Sequence, residues 1–153
     1  MAWVVPIPMC MRGKCILIVE DEEATAFMPA SRLRDHSYTV ETAGDGREAL
    51  STALRAIPDL VITDFQLPSM NGLELAAALR AEGATAGVPI IMLTGRGHKV
   101  STEVLGATNI RQMMSKPFSA KEIVAIVSLI LTGSKGTAER GAARPNGQPN
   151  IAA

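Results

Sequence analysis

The chain has 153 residues, of which 47% are hydrophobic and 20% charged, and its formal net charge is +0. That length suits one globular domain, and the charge balance excludes attraction to nucleic acid or a membrane surface by bulk electrostatics. Two cysteines, Cys10 and Cys15, are too few for a disulfide framework or a zinc set; they fit a reducing cytosol and two inert thiols.

Residues 1–13 are apolar but lack a basic start, and Pro6 and Pro8 interrupt them. They read as a flexible extension, with Met9 and Met11 as alternative starts, rather than as a signal peptide or membrane anchor. Cys15–Val19 (CILIV) is a continuous apolar run, the pattern of a strand buried on both faces. Glu22–Asp35 has helical character, broken by Pro29, which either kinks the helix or delays its start. Tyr38–Ala43 is β-prone. Gly46–Ile57 has helical spacing, with Ala49, Leu50, Ala53, Leu54 and Ile57 on one stripe.

Leu60–Thr63 predicts a second buried strand, and Gly72–Glu82 (GLELAAALRAE) a strong helix with Leu73, Ala76, Ala77 and Leu79 defining its faces. Val88–Leu93 predicts a third buried strand, followed by a weak helix near Lys99–Leu105 whose start Gly97 weakens. Ile110–Ser115 reads as a strand and Ser119–Thr132 as the last helix, with Gly133 as its stop. Ile123, Ile126, Val127 and Ile130 of that helix can face the sheet, leaving Val124, Leu129 and Leu131 on other faces. Residues 134–153 are rich in Gly, Pro, Ala and polar residues without periodicity, the composition of a disordered tail. The folded part is therefore residues 14–133.

Strand and helix alternate five times, which predicts a parallel sheet with helices on both faces. Such sheets bind ligands at the carboxyl ends of their strands. There the chain delivers Glu20 and Asp21, then Asp64, then Thr94, then Lys116 before Pro117. Three clustered carboxylates repel one another unless a cation sits among them, and oxygen ligands of this kind suit Mg²⁺. An ammonium and a hydroxyl can hold the remaining oxygens of a phosphoryl group, leaving Asp64 as the candidate nucleophile. Each residue alone has an ordinary reading: a helix-start acid, a turn aspartate, a strand-end threonine, a solvated lysine. Their joint placement at strand ends outweighs those readings. His36 and His98 are too few and too far apart in the pattern for a metal set or a triad.

The segments ILIVEDEEA, LVITDFQLPSMNG, IIMLTG and SKPF, in this order and spacing, resemble the receiver domain of two-component response regulators. The resemblance covers residues 14–133 and implies a flavodoxin-like (βα)5 fold with strand order 2-1-3-4-5. By it, Asp64 is the phospho-acceptor, and Glu20, Asp21, Asp64 and the Gln66 backbone carbonyl are the Mg²⁺ ligands. Thr94 is the switch hydroxyl, and Lys116 precedes a cis proline bond. The implied partners are a sensor histidine kinase or a histidine phosphotransfer protein, and an unidentified downstream protein. A homodimer contact through the last helix is a further option. No nucleic acid, no membrane and no separate enzymatic output is expected of this cytoplasmic, stand-alone, chemotaxis-type receiver. Gln66 and Arg96 flank the path of the water that would hydrolyse the acyl phosphate.

Two positions depart from the family pattern: Pro29 in the first helix, which helps dock the phosphodonor, and Met113 where an aromatic switch residue is common. They favour a rival reading as a degenerate receiver, an unphosphorylated interaction module. A haloacid-dehalogenase-like phosphohydrolase also uses a strand-end aspartate, but needs a second acid two residues on. Gln66 stands there and cannot supply the proton.

Overall fold

The alternation forms one five-stranded parallel sheet. A computed structural model describes residues 14–95 and 101–140, with side chains through residue 132. In chain order the elements are β1 (Cys15–Val19), α1 (Glu23–Asp35), β2 (Thr39–Ala43), α2 (Gly46–Arg55) and β3 (Leu60–Asp64), then α3 (Gly72–Ala81), β4 (Ile90–Thr94), α4 (Thr102–Ala107), β5 (Ile110–Ser115) and α5 (Ala120–Arg140). The strand order is β2-β1-β3-β4-β5, as the resemblance implies. Every residue of β1, β3 and β4 is buried, because helices cover both faces of these central strands. The edge strands β2 and β5 bury only some of theirs.

The sheet divides the core in two. Ile16, Ile18, Leu60, Ile62, Ile91 and Leu93 point to the side covered by α1 and α5. Leu17, Val19, Val61, Ile90 and Met92 point to the side covered by α2 and α3, where Leu105 of α4 is partly buried. This inversion of successive residues is the two-residue period of a strand.

Local chemistry sets the helix starts. Asn71 caps α3 by accepting from Glu74 N–H, while Glu74 accepts from Asn71 N–H in return. Asp45 accepts from Glu48 N–H at 2.8 Å, and Ser119 and Glu122 cap α5 reciprocally.

Several boundaries differ from expectation. The late start expected of the Pro29 helix does not occur: α1 starts at Glu23 and runs through the proline, with Pro29 buried beside Ala26, Ala30 and Leu33. β4 starts at Ile90 instead of Val88; Pro89 has no N–H for a ladder, though its carbonyl accepts from Val61 N–H at 3.0 Å. α2 ends at Arg55, because Ile57 precedes Pro58 and that position disfavours helix. Leu54 and Ile57 are not on the buried stripe and are 41% and 39% exposed, while Thr52 joins Ala49 and Ala53 inside. Leu131 is buried with Ile123 and Val127, a spacing of four that continues one stripe.

α5 does not stop at Gly133 but continues to Arg140, so residues 134–140 are helical and not part of an irregular tail. A single glycine costs a helix only about 1 kcal/mol, which is not an obligatory stop. Cys15 is disulfide-bonded, which corrects the expectation of two inert thiols. The cysteines therefore give no support for a reducing compartment. Residues 1–13, with Cys10, and residues 141–153 lie outside the described residues, as do Arg96, Gly97 and His98. Among the described residues no helix is long and apolar enough to cross a membrane.

Candidate functional site

Four strand ends place the predicted side chains at one edge of the sheet. Glu20 follows β1, and its N–H donates to Ala43 O at 3.0 Å, which extends the β1–β2 ladder by one bond and holds Glu20 at the rim. Asp64 ends β3. Because Phe65 N–H donates to Leu93 O at 2.8 Å, the backbone just past Asp64 stays tied to β4. Thr94 ends β4 beside Ser115 of β5, and its carbonyl accepts from Lys116 N–H at 2.8 Å. The Lys116–Pro117 bond is cis, as the resemblance implies.

The side chains converge. Lys116 Nζ lies 2.9 Å from Asp64 Oδ1 and 3.6 Å from Glu20 Oε1. Carboxylate oxygens of Glu20, Asp21 and Asp64 lie within 4.8 Å of one another; Glu20 and Asp64 are buried and Asp21 is exposed. Thr94 is buried, with its hydroxyl donating to Met114 O at a long 3.5 Å. Gln66 sits two residues beyond Asp64 on the exposed loop between β3 and α3. Thus Glu20, Asp21, Asp64 and Lys116 meet directly, Thr94 stands at the neighbouring strand end, and Gln66 follows on the loop.

The electrostatics are those of an anion-rich pocket with one cation. Burial raises the Glu20 carboxyl above its ordinary range, and the charge of Asp64 raises it further against the opposing pull of Lys116. Burial pulls the Lys116 ammonium down, but the hydrogen bond and charge of Asp64, then Glu20, outweigh it and the net direction is up. Three carboxylates share the site with one ammonium, which pairs with Asp64 and Glu20. The donor set is oxygen only, with room for non-protein ligands on the Asp21 side. That chemistry fits a hard divalent cation such as Mg²⁺.

A groove of about 420 Å³ opens beside the carboxylates, between α1 and the β2–α2 corner. Its walls include Asp21, Glu23, Phe27, Arg34, Gly44 and Glu48. Phe27 is 69% exposed and the neighbouring Met28 50%. Met113, at the position where an aromatic is common, pairs in register with Met92 and is partly buried on the α2/α3 side.

Sequence reasoning missed the residues that seat the loop between β3 and α3. A Cβ on Gly72 would stand 2.5 Å from Asp64 O and 2.7 Å from Met92 Sδ, so only glycine lets the start of α3 approach the strand end. Gly72 N–H closes the loop by donating to Phe65 O at 2.8 Å. The Asn71-Gly72 pair was the available signal, since such pairs mark turns. At Gly46, a Cβ would meet Met70 at 2.7 Å; no local pattern links those two positions.

Comparison with known proteins agrees with this geometry. The family model described as the response regulator receiver domain matches residues 16–128. The chain is 40% identical over 121 residues to the phosphate regulon transcriptional regulatory protein PhoB of Rhizobium meliloti, covering 78% of this chain and 53% of PhoB. It is 38% identical over 112 residues to the DNA-binding response regulator MtrA of Mycolicibacterium paratuberculosis, covering 73% of this chain and 48% of MtrA. The chain therefore spans about half the length of the curated relatives it matches. Among solved structures, chemotaxis protein CheY4 of Vibrio cholerae superposes with a TM-score of 0.71 at 32% identity, covering 77% of this chain and 98% of CheY4. The receiver domain of a Pseudomonas aeruginosa sensor histidine kinase, with magnesium coordinated in its active site cleft, gives 0.70 at 30% identity over 78% and 98% of the two chains. A carboxylate cluster countered by a lysine, carried on a 2-1-3-4-5 parallel sheet and matched over these residues, makes this chain a member of the response regulator receiver domain family.

Proposed function

We propose that this receiver accepts a phosphoryl group on Asp64 from a phosphohistidine on a sensor kinase or phosphotransfer protein, and signals through an altered protein-binding surface. The observation that carries the reading is the Lys116–Asp64 contact of 2.9 Å inside a cluster of three carboxylates. An Asp64 oxygen attacks phosphorus as the P–N bond of the donor breaks, and the imidazole leaves with the bonding pair and takes a proton. Lys116 then pairs with the phosphoryl oxygens, and the Thr94 hydroxyl turns from Met114 O to donate to them. Glu20, Asp21, Asp64 and the Gln66 carbonyl would hold Mg²⁺, which when bound neutralises charge on the phosphoryl group. Water attack at phosphorus later releases inorganic phosphate and restores the carboxylate.

The domain is proposed to span residues 14–140, with output by protein contact at α5, where Leu129 is 69% exposed. Its expected setting is the cytoplasm, where the phosphohistidine of a kinase is presented. PhoB and MtrA are a transcriptional regulator and a DNA-binding regulator, but nucleic-acid binding is not assigned to the receiver residues described here.

The test is incubation with acetyl phosphate and Mg²⁺, read by intact mass. The wild type gains one phosphoryl group and Asp64→Asn gains none; an unmodified wild type removes the reading. Met113 at the switch position favours a second reading, an unphosphorylated interaction module. That reading predicts no Mg²⁺-dependent chemical-shift change around Asp64.

A further inference from the structure

The loop from Phe65 to Asn71 carries Gln66, whose backbone carbonyl is assigned above to Mg²⁺. A carbonyl ligand can be aimed only by its backbone. The ends of this loop are tied by Phe65 N–H to Leu93 O and by Gly72 N–H to Phe65 O, each at 2.8 Å. Between those ties the chain turns through Ser69 at φ 67°, and Met70 N–H donates to Pro68 O at 2.7 Å. Met70 is then pressed onto the first residue of α2. A Cβ on Gly46 would lie 2.7 Å from both the Cβ and the backbone oxygen of Met70, and 2.9 Å from its Cγ. Such distances fall far inside the optimum of about 3.5–4.0 Å for carbon contacts. Gly46 is buried, so the bare Cα is itself the surface on which Met70 rests.

We propose that the Gly46–Met70 contact is a positioning contact for the metal site: it fixes the height of the acceptor loop, and with it the Gln66 carbonyl. The proposal rests on the Mg²⁺ reading given under the proposed function. Its physical basis is that the obstructing atoms at Met70 include backbone. Added bulk at position 46 therefore moves the loop instead of merely swinging a side-chain tip. Mg²⁺ demands near-ideal octahedral geometry, so small displacements of one ligand weaken it. Gly46 and Met70 touch neither metal nor phosphoryl group, and act through Gln66.

The test compares Mg²⁺ affinity, by calorimetry, with thermal stability in four proteins: wild type, Gly46→Ala, Ile123→Val and Gly83→Ala. Gly46→Ala is expected to weaken Mg²⁺ by about tenfold, as loss of support around a metal ligand does, at a temperature where circular dichroism shows it folded. Ile123→Val removes buried volume on the opposite face of the sheet and is expected to lower Tm with Mg²⁺ affinity unchanged. Gly83→Ala adds a methyl where nothing lies within 4 Å and is expected to leave Mg²⁺ affinity unchanged without lowering Tm. A folded Gly46→Ala that binds Mg²⁺ like the wild type overturns the proposal. So does an equal Mg²⁺ loss in Ile123→Val, which would mark a general effect of destabilisation. If Gly46→Ala does not fold, Met70→Ala replaces it: weaker Mg²⁺ binding supports the seat and unchanged binding overturns it. A wild type that binds no Mg²⁺ overturns the metal reading itself, an outcome visible before any variant is compared.

Discussion

Lys116 Nζ lies 2.9 Å from Asp64 Oδ1 and 3.6 Å from Glu20 Oε1, so a single ammonium faces two buried carboxylates. It is the counter-ion of the resting site and, under the proposed function, the group that meets the oxygens of a phosphoryl group arriving at Asp64. These two roles predict opposite changes on its removal. Lys116→Ala is expected to slow phosphoryl uptake from acetyl phosphate by about 100-fold, the scale of losing one charge-stabilising donor. Mg²⁺ affinity, measured without phosphodonor, is expected to rise, because a competing cation has gone. A variant that binds Mg²⁺ more weakly than the wild type would contradict this division of roles.

Glu20 gives the pH prediction. Burial, then the charge of Asp64, raises its carboxyl in the folded, metal-free protein. The folded state therefore binds a proton at pH values where the unfolded chain has released it. The sign follows: ionised Glu20 opposes folding above its folded pKa, and the penalty is relieved as pH falls through that value toward the unfolded value of 4.5. Without metal at neutral pH, Glu20→Gln is expected to melt above the wild type, with the gap closing on acidification. Saturating Mg²⁺ is expected to reverse the order, since the wild type gains binding energy that the variant loses. Melting curves over that pH window, with Mg²⁺ and with chelator, check both halves.

The site was legible because its signal is positional. A strand buried on both faces must end where its apolar run ends, so Asp64 and Thr94 announce themselves against LVIT and IIML. Helix ends carry a weaker signal. Ile57 fits a helical stripe by spacing, but Pro58 ends the helix before that stripe is complete, and Leu131 joined the core by continuing the Ile123–Val127 stripe one further turn. Gly133 looked like a stop because glycine often is one. The contact of Gly46 with Met70 joins positions 24 residues apart and leaves no periodic trace. It depends on how α2 and α3 pack side by side, which only the folded chain specifies.

Gly72 and Gly83 should respond in opposite ways to the same added methyl. At Gly72 the new Cβ meets Asp64 O at 2.5 Å and Met92 Sδ at 2.7 Å; at Gly83 it meets nothing within 4 Å. Gly72→Ala is expected to cost about 1–3 kcal/mol, the range for overpacking. Gly83→Ala is expected to gain about 0.4–1 kcal/mol by restricting the unfolded chain. Urea denaturation midpoints at constant m-value separate the two.

Leu129 points outward from α5 and is 69% exposed, whereas Ile123 and Val127 on the same helix are fully buried. Replacing it removes no core contact. Leu129→Lys is therefore expected to keep stability within about 0.5 kcal/mol of the wild type and to accept phosphate normally. If α5 carries the output contact, the variant loses any phosphorylation-dependent shift in size-exclusion elution that the wild type shows. A retained shift would move the contact elsewhere.

Removal of Pro29 is also expected to stabilise the fold. It lies inside α1 and is buried, and it cannot donate to the Thr25 carbonyl four residues back. Proline in a helix interior is about 3 kcal/mol worse than alanine. Against that, Pro29→Ala strips two ring methylenes from the core, at about 0.8 kcal/mol each. It also loosens the unfolded chain by about 0.4–1 kcal/mol. The propensity term still exceeds the other two, so Pro29→Ala is expected to raise stability by roughly 0.5–1 kcal/mol. The groove wall offers a second readout. Phe27 sits two residues before the proline and Arg34 five after it, both lining the groove beside the carboxylates. Replacing the proline alters this helix beside both residues, so phosphoryl uptake from a protein phosphodonor is expected to shift, while uptake from acetyl phosphate, which needs no docking, stays at the wild-type rate. Equal changes with both donors would place the effect of Pro29 at Asp64 itself and not at the groove.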